Sequence, residues 1–349
     1  MAHTRGLMAL GHGSSTQARG VAPHPQGPVA ETGASVVHPR GMRLAAIAVG
    51  STSVHLTVAA VSGSRLRILA DESVLLQLGA ALDASGHLPA ASLGELIATL
   101  RGFVATARAL GAGQVTLVGT EPLRRAGNGH SVSAEVQAAT GLPVLRLTHE
   151  EEALLSLLAV LGGRPAAVPT LVVDIGGGSS EYVLAAPREA PRAHALRLGA
   201  ASLTRQVARH DPPTPDELEG LRAEARRHLA SAPDLRPARA ILVGGTATNL
   251  LRVAAPGRAL RVVDRRRLRV AMEALLAEPS ADLAVRCAIR PERARILPGG
   301  AALVEAFLDR YGLRSAAVSI ASIREGAILA VAAGGASWRE RLADLVAGD

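Results

Sequence analysis

The stretch 170–185, TLVVDIGGGSSEYVLA, constrains this chain more than any other. A Val-rich apolar run ends in Asp174 and Ile175, five small residues follow, and a second apolar run begins at Glu181. Apolar strand, small-residue turn and apolar strand make a hairpin whose tip carries almost no side chains. Successive backbone N–H groups in such a turn can form a concave nest for phosphate oxygens. Gly176, Gly177 and Gly178 permit the positive φ that a nest needs, and Ser179 completes the turn. Asp174 and Glu181 flank it and offer the oxygen ligands that a hard cation such as Mg²⁺ takes. An ordinary tight hairpin would use the same residues, so the rest of the chain has to decide.

Residues 44–61, LAAIAVGSTSVHLTVAAV, repeat the pattern. Laid over the first stretch, Ile47 falls on Val173, Ala48 on Asp174, Gly50 on Gly176, Ser51 and Thr52 on Gly177 and Gly178, Ser53 on Ser179, and His55 on Glu181. Self-similarity at this level predicts two related domains whose hairpin tips face one cleft and grip one phosphorylated ligand. The repeat has a gap: the acid of the second copy is Ala48 in the first.

A length of 349 residues is enough for about two domains. Aromatics are 1% of the chain, so Ala, Leu and Val must fill the cores. Lysine is absent and every cation is arginine, which excludes the lysine-dependent P-loop. A net charge of +8 favours polyanions. The scarcity of aromatics removes the stacking platform of single-strand nucleic-acid binding, so no specific nucleic acid is expected. Cys287, the single cysteine, excludes a disulfide framework and suits a reducing, cytoplasmic location. No apolar run is long enough to span a membrane. A basic, alanine-rich exterior is compatible with a homodimer. Residues 1–42, rich in Gly, Ser, Pro and His, read as a disordered tail, and Met42 begins ordered-looking sequence.

Domain I is expected over 43–161. It contains a strand at 65–74, a helix over 92–110, a strand at 115–118 and a strand at 144–147. Arg124 and Arg125 after the third of these are either a solvated helix start or a guanidinium fork for phosphate. His149, Glu150, Glu151 and Glu152 open a helix. Acids there suit the macrodipole, or one of them is a general base aimed at water. Residues 162–169 read as a hinge, and domain II as 166–320. A strand at 192–198 is followed by Thr214, Pro215 and Glu217, a capping box that opens a helix. A strand at 240–243 enters Gly244, Gly245 and Thr246, a third phosphate or nucleoside contact before a helix over 247–253. Helices over 264–278 and 301–311 and a strand at 316–320 complete the domain. Ser322 and Glu325 form a second capping box, whose helix, with the rest of 321–349, returns to domain I. Trp338 is expected to anchor packing.

The order of these signals resembles the exopolyphosphatase and guanosine-pentaphosphate phosphohydrolase family, Ppx/GppA. The resemblance runs over about 43–329. It rests on the DIGGGSSE of 174–181, matched at every fixed position, with LPG at 297–299 and REG at 324–326. Weaker matches are AVGSTS at 48–53, the Thr120-to-Asn128 stretch, the EEA of 151–153 and the GGT of 244–246. The resemblance implies an α/β actin-like ATPase (ribonuclease H-like) fold of two related domains around a cleft. It implies release of terminal orthophosphate from polyphosphate or guanosine pentaphosphate, with Mg²⁺. Carried over, Glu152 is the base, Arg124 holds the scissile phosphate, and Asp174 and Glu181 bind the metal or position the nucleophile. The turns 50–53 and 176–179 cradle phosphates. The chain departs from the family at Ala48 (Asp), Thr52 (Asn), His149 (Gly), Glu150 (Asn) and Leu154 (Arg). These departures leave a catalytically silent polyphosphate or guanosine-tetraphosphate sensor as the rival reading.

Overall fold

A computed structural model describes residues 41–348. The expected tail therefore lies outside the described residues, except that Met42 is already the first residue of a strand. Strands β1 (Met42–Val49), β2 (Ser53–Ser62) and β3 (Arg65–Leu75) form a meander. Helices α1 (Leu78–Ser85) and α2 (Ala90–Ala109) lead to β4 (Gln114–Gly119), and α3 (Glu121–Arg125) and α4 (Gly129–Thr140) to β5 (Val144–Arg146). After α5 (His149–Leu161) a second meander follows, β6 (Thr170–Ile175), β7 (Ser180–Ala185) and β8 (Arg192–Leu196). Then come α6 (Ala200–Val207), α7 (Pro215–Leu229), β9 (Arg239–Val243), α8 (Gly244–Ala254), β10 (Val262–Asp264) and α9 (Arg265–Ala277). The chain ends with α10 (Ser280–Cys287), α11 (Pro291–Arg310), β11 (Ser315–Val318), α12 (Ile323–Gly334), a 3₁₀ turn (Gly335–Ser337) and α13 (Leu342–Ala347).

The internal repeat holds at the level of topology. The first sheet is ordered β3-β2-β1-β4-β5, and the second contains the same pattern as β8-β7-β6-β9-β11, with β10 added at its edge. In each, the central strand pairs antiparallel with its hairpin partner and parallel with the strand that follows. The register is also shared: Ala48 sits opposite His55 as Asp174 sits opposite Glu181.

Alternation along the central strands sorts their side chains between three cores. Ala45, Ile47 and Val49 pack with Leu93, Leu96 and Leu100 of α2, and Leu171, Val173 and Ile175 pack with α6, α7 and α11. Ala46, Ala48 and Val172 point the other way, into a core shared with α5, α12 and α13. Helices α5 and α12 thus lie between the two sheets. Asp174 has the parity of Val172, so it faces this inner layer at its open end. Trp338, 3% exposed, anchors that core as expected.

Three expectations need correction. The helix expected from Ala301 begins at Pro291 and runs through Pro298. Thr204 makes this tolerable: its hydroxyl accepts from the Gly299 N–H and lies 3.2 Å from the Ile296 carbonyl, so backbone groups disturbed by the proline find a partner. Asp264 caps α9 instead of lying inside it, because Val262 and Val263 pair with β11. Helix α8 starts at Gly244, three residues early, since Gly244 adopts φ 81° and turns the chain directly from β9.

Gly326 lets α12 cross α5 closely: a methyl there would overlap the Leu155 carbonyl. Gly326→Ala is expected to lose about 3 kcal/mol of stability in urea denaturation, at the upper end for overpacking because the obstacle is backbone. Gly102→Ala, with nothing within 4 Å, should instead gain up to about 1 kcal/mol; equal effects at both sites would overturn this account.

Candidate active site

The two hairpin tips close in the same way. Gly50 N–H bonds the Ser53 carbonyl at 3.1 Å, and Gly176 N–H the Ser179 carbonyl at 3.0 Å. Each strand end is then tied by a threonine: the Thr120 hydroxyl donates to the Val49 carbonyl at 2.9 Å, and the Thr246 hydroxyl to the Ile175 carbonyl at 2.7 Å. The carbonyls of the tips are also taken. Gly79 N–H, at the start of α1, bonds Ser51, and Leu76 and Gln77 bond Thr52. Ala200, Ala201 and Ser202, in the first turn of α6, bond Gly176 and Gly177. Among the described residues, the amides of Ser51, Thr52, Gly177, Gly178 and Ser179 donate to no protein acceptor. Backbone donors left this way are available to an anion, although Gly176, Gly177 and Gly178 do not adopt the positive φ expected of a nest: Gly177 and Gly178 are required by the close approach of the two tips instead.

The tips meet across a cleft of about 400 Å³. A methyl at Gly177 would strike the Thr52 hydroxyl, and one at Gly178 the Glu121 carboxylate. Thr52 Oγ1 is buried without a partner. Both loops, the turn at 244–246, Asp174, Glu152 and Glu181 line this cleft, together with Ala48 and the arginines Arg252, Arg293 and Arg324. The sequence-predicted set is therefore gathered in one place, with one exception. Arg124 lines a second cavity of about 830 Å³ beside Arg125, Arg146, Arg197 and Arg205. Gly178, Ser179 and Glu121 border both spaces.

A cluster of ionisable groups forms the wall between the two cavities. Thr148 caps α5 and Glu151 closes its capping box, so Glu150 and Glu151 serve the helix end and Glu152 turns inward. Arg124 Nη1 pairs with Glu152 and donates to the Leu147 carbonyl at 2.7 Å. Its Nη2 lies 2.9 Å from His149 Nδ1 and 3.6 Å from Glu181 Oε1. His149 Nδ1 is in turn 2.7 Å from Glu181 Oε1. Burial, then the charge of Glu181, raises the Glu152 pKa well above the usual carboxylate range. Burial pushes Glu181 up to about 8 and Asp174 up to about 6. Among the described residues Asp174 has no arginine partner and accepts one long contact, from the Ser156 hydroxyl at 3.4 Å. Across the cleft, His55 is pushed down to about 3 by burial and by Arg324 and Arg293.

Several contributors were not identified from sequence. Glu121 accepts from Ser51 and pairs with Arg125, bracing the first loop; its place beside Thr120 in the phosphate-like stretch was the available signal. Arg293 donates to Ser53, 240 residues away in the chain, and no local pattern announces that contact. Thr246, expected from sequence as a phosphate contact, lines the cleft and spends its hydroxyl on the Ile175 carbonyl, which joins α8 to β6.

Two halves of shared topology that close donor-rich hairpin tips on one cleft define the actin-like ATPase fold, as expected from the sequence. The chain belongs to the Ppx/GppA phosphatase family, whose model matches residues 57–333. Exopolyphosphatase 1 of Mycobacterium tuberculosis is 30% identical over 310 residues, covering 82% of this chain and 88% of that protein. Exopolyphosphatase 1 of Mycobacterium leprae is also 30% identical, over 82% and 89%. The Aquifex aeolicus Ppx/GppA family member superposes with a TM-score of 0.72 at 25% identity, over 83% of this chain and 97% of that one. An exopolyphosphatase from Cytophaga hutchinsonii shares the fold, with a TM-score of 0.74 at 20% identity over 82% and 96%. Among the described residues no helix is long and apolar enough to cross a membrane.

The raised Glu181 pKa has a consequence for stability. Its folded value, about 8, lies above its ordinary 4.5. Its contribution is therefore full below the ordinary value and is lost as pH rises through the folded one. In chelator and without phosphate, urea denaturation midpoints should fall between pH about 5 and about 8, and Glu181→Gln should flatten the slope. A slope of the opposite sign would overturn the assignment.

Proposed function

We propose that this protein is an exopolyphosphatase that releases terminal orthophosphate from inorganic polyphosphate. The observation that carries the reading is the set of unused loop amides on both sides of the cleft, beside a wall of buried carboxylates and arginine. The amides hold the phosphates at the chain end. In the second cavity Arg124, Arg125 and Arg205 are paired with Glu152, Glu121 and Asp83, while Arg146 and Arg197 make no ion pair among the described residues; cations that continue beyond the cleft suit a chain of repeated charge.

In this reading Glu152 accepts the proton of the attacking water. A new bond forms between the water oxygen and the terminal phosphorus. The bond to the bridging oxygen breaks, and its electron pair stays on the shortened chain. The raised pKa of Glu152 suits a base working near neutrality. Arg124 leaves Glu152 to hold the scissile phosphate, freeing the carboxylate for the proton. Asp174 and Glu181 fit Mg²⁺: they face each other across the hairpin, are buried, and Asp174 is nearly free of partners. When bound, the ion supplies neutralisation of phosphate charge.

The test is orthophosphate release from long-chain polyphosphate with Mg²⁺. Glu152→Gln should reduce it on the order of 10²–10⁴-fold, with polyphosphate binding retained. Equal release would remove Glu152 as base, and release from guanosine pentaphosphate alone would move the substrate to that nucleotide.

A second reading, a polyphosphate or guanosine-tetraphosphate sensor without turnover, is favoured by Ala48. It lines the cleft opposite His55, where the second copy of the repeat has an acid. Binding without release, with release appearing in Ala48→Asp, would establish it.

A further inference from the structure

The wall between the cavities contains more metal-ligating chemistry than the Mg²⁺ reading uses. His149 Nδ1 and carboxylate oxygens of Glu152 and Glu181 all lie within 4.8 Å of one another. Asp174 is not a member of this group. The hydrogen bonding inside it does not balance. Nδ1 faces the Glu181 oxygen at 2.7 Å and the Arg124 Nη2 donor at 2.9 Å. As an acceptor from arginine, Nδ1 turns its lone pair toward a carboxylate oxygen; as a donor to Glu181, it points a proton beside the guanidinium. Three lone-pair donors thus converge on one point where a single cation of fixed planar shape serves them unequally.

We propose that His149, Glu152 and Glu181 form a three-ligand site for a first-row divalent transition ion of the Mn²⁺ to Zn²⁺ class, exchanging with the Arg124 guanidinium. One imidazole nitrogen and two carboxylates suit such ions better than Mg²⁺, which prefers oxygen alone. Three protein ligands leave a position open for water or a phosphate oxygen. Arg124 has room to move, since it also lines the arginine-rich cavity. Metal at the wall and phosphate on Arg124 are then mutually reinforcing: phosphate draws the guanidinium off the ligands that the metal needs, and the metal releases the guanidinium to the phosphate. The site shares Glu152 and Glu181 with the proposed hydrolytic centre; an ion held by Glu152 blocks its use as the base, so metal occupancy and turnover are alternative states and occupancy is measured without turnover.

The test uses the full chain, freed of metal and phosphate and titrated with Mn²⁺. Pulsed electron paramagnetic resonance should show one bound ion coupled to an imidazole nitrogen. His149→Gly should abolish the coupling and weaken Mn²⁺ and Zn²⁺ at least about tenfold, while changing Mg²⁺ affinity much less. His149→Gln, which keeps a polar side chain, serves if the glycine variant is unstable and should lose the coupling equally. Absence of nitrogen coupling in the native protein, or coupling that survives both substitutions, would overturn the site. Coupled Mn²⁺ in a protein that releases no orthophosphate from polyphosphate would support the site and overturn the hydrolase reading alone.

Discussion

The arrangement depends on how the hairpin tips spend their backbone groups. A turn carries as many acceptors as donors, and a tip that left both free would have no preference for anions. Here the acceptors of Ser51, Thr52, Gly176 and Gly177 are taken by the chain that leaves the third strand of each meander. That chain continues as α1 in one half and α6 in the other, so the order of the strands and the polarity of the loops are one fact. Gly79 and Gly199 make the approach possible: a methyl at either would meet the backbone or Cβ of the loop it supports. What remains exposed to the cleft is a surface of N–H groups fixed before any ligand arrives, which is how electrostatic preorganisation avoids reorganisation cost.

Much of this was legible in the sequence where the signal was local. Two hairpins, their repeat, both capping boxes and the inward turn of one acid in 150–152 follow from periodicity and turn chemistry acting within a few residues. The short helices α1, α4, α6 and α10 were not legible, because eight to twelve residues give too few turns for a 3.6-residue period to be read against the flanking loops. The continuous α11 was not legible either, because the hydroxyl that accommodates Pro298 comes from Thr204, far back in the chain. Of the site, the loops and carboxylates carry their own motifs. The second cavity does not: Arg146, Arg197 and Arg205 come from separate segments and meet only through the tertiary fold.

The repeat also explains why the two sides of the cleft are electrically different. At equivalent places, one hairpin has Ala48 opposite His55, and the other Asp174 opposite Glu181. His55 is held neutral beside Arg293 and Arg324, whereas the carboxylates of the second hairpin are buried and hold their protons more tightly than usual. A family-type aspartate at 48 would partly cancel the arginines next to it. Without it, the acids lining that side are Asp71, paired with Arg324, and Glu121, bonded to Ser51 and Arg125, while Arg293 makes no ion pair among the described residues; Asp174, Glu181 and Glu152 gather on the opposite side. In the proposed reading, a phosphate chain is attracted to the first loop by Arg293, which has no carboxylate partner among the described residues, and excluded from the second until a cation or protons neutralise the carboxylates. Cation and anion therefore enter as a pair, since burying either alone leaves a charge uncompensated. In the proposed reading the alanine at 48 is therefore a redistribution of charge: it leaves Arg293 its full charge for phosphate and makes the acidic side more dependent on a cation.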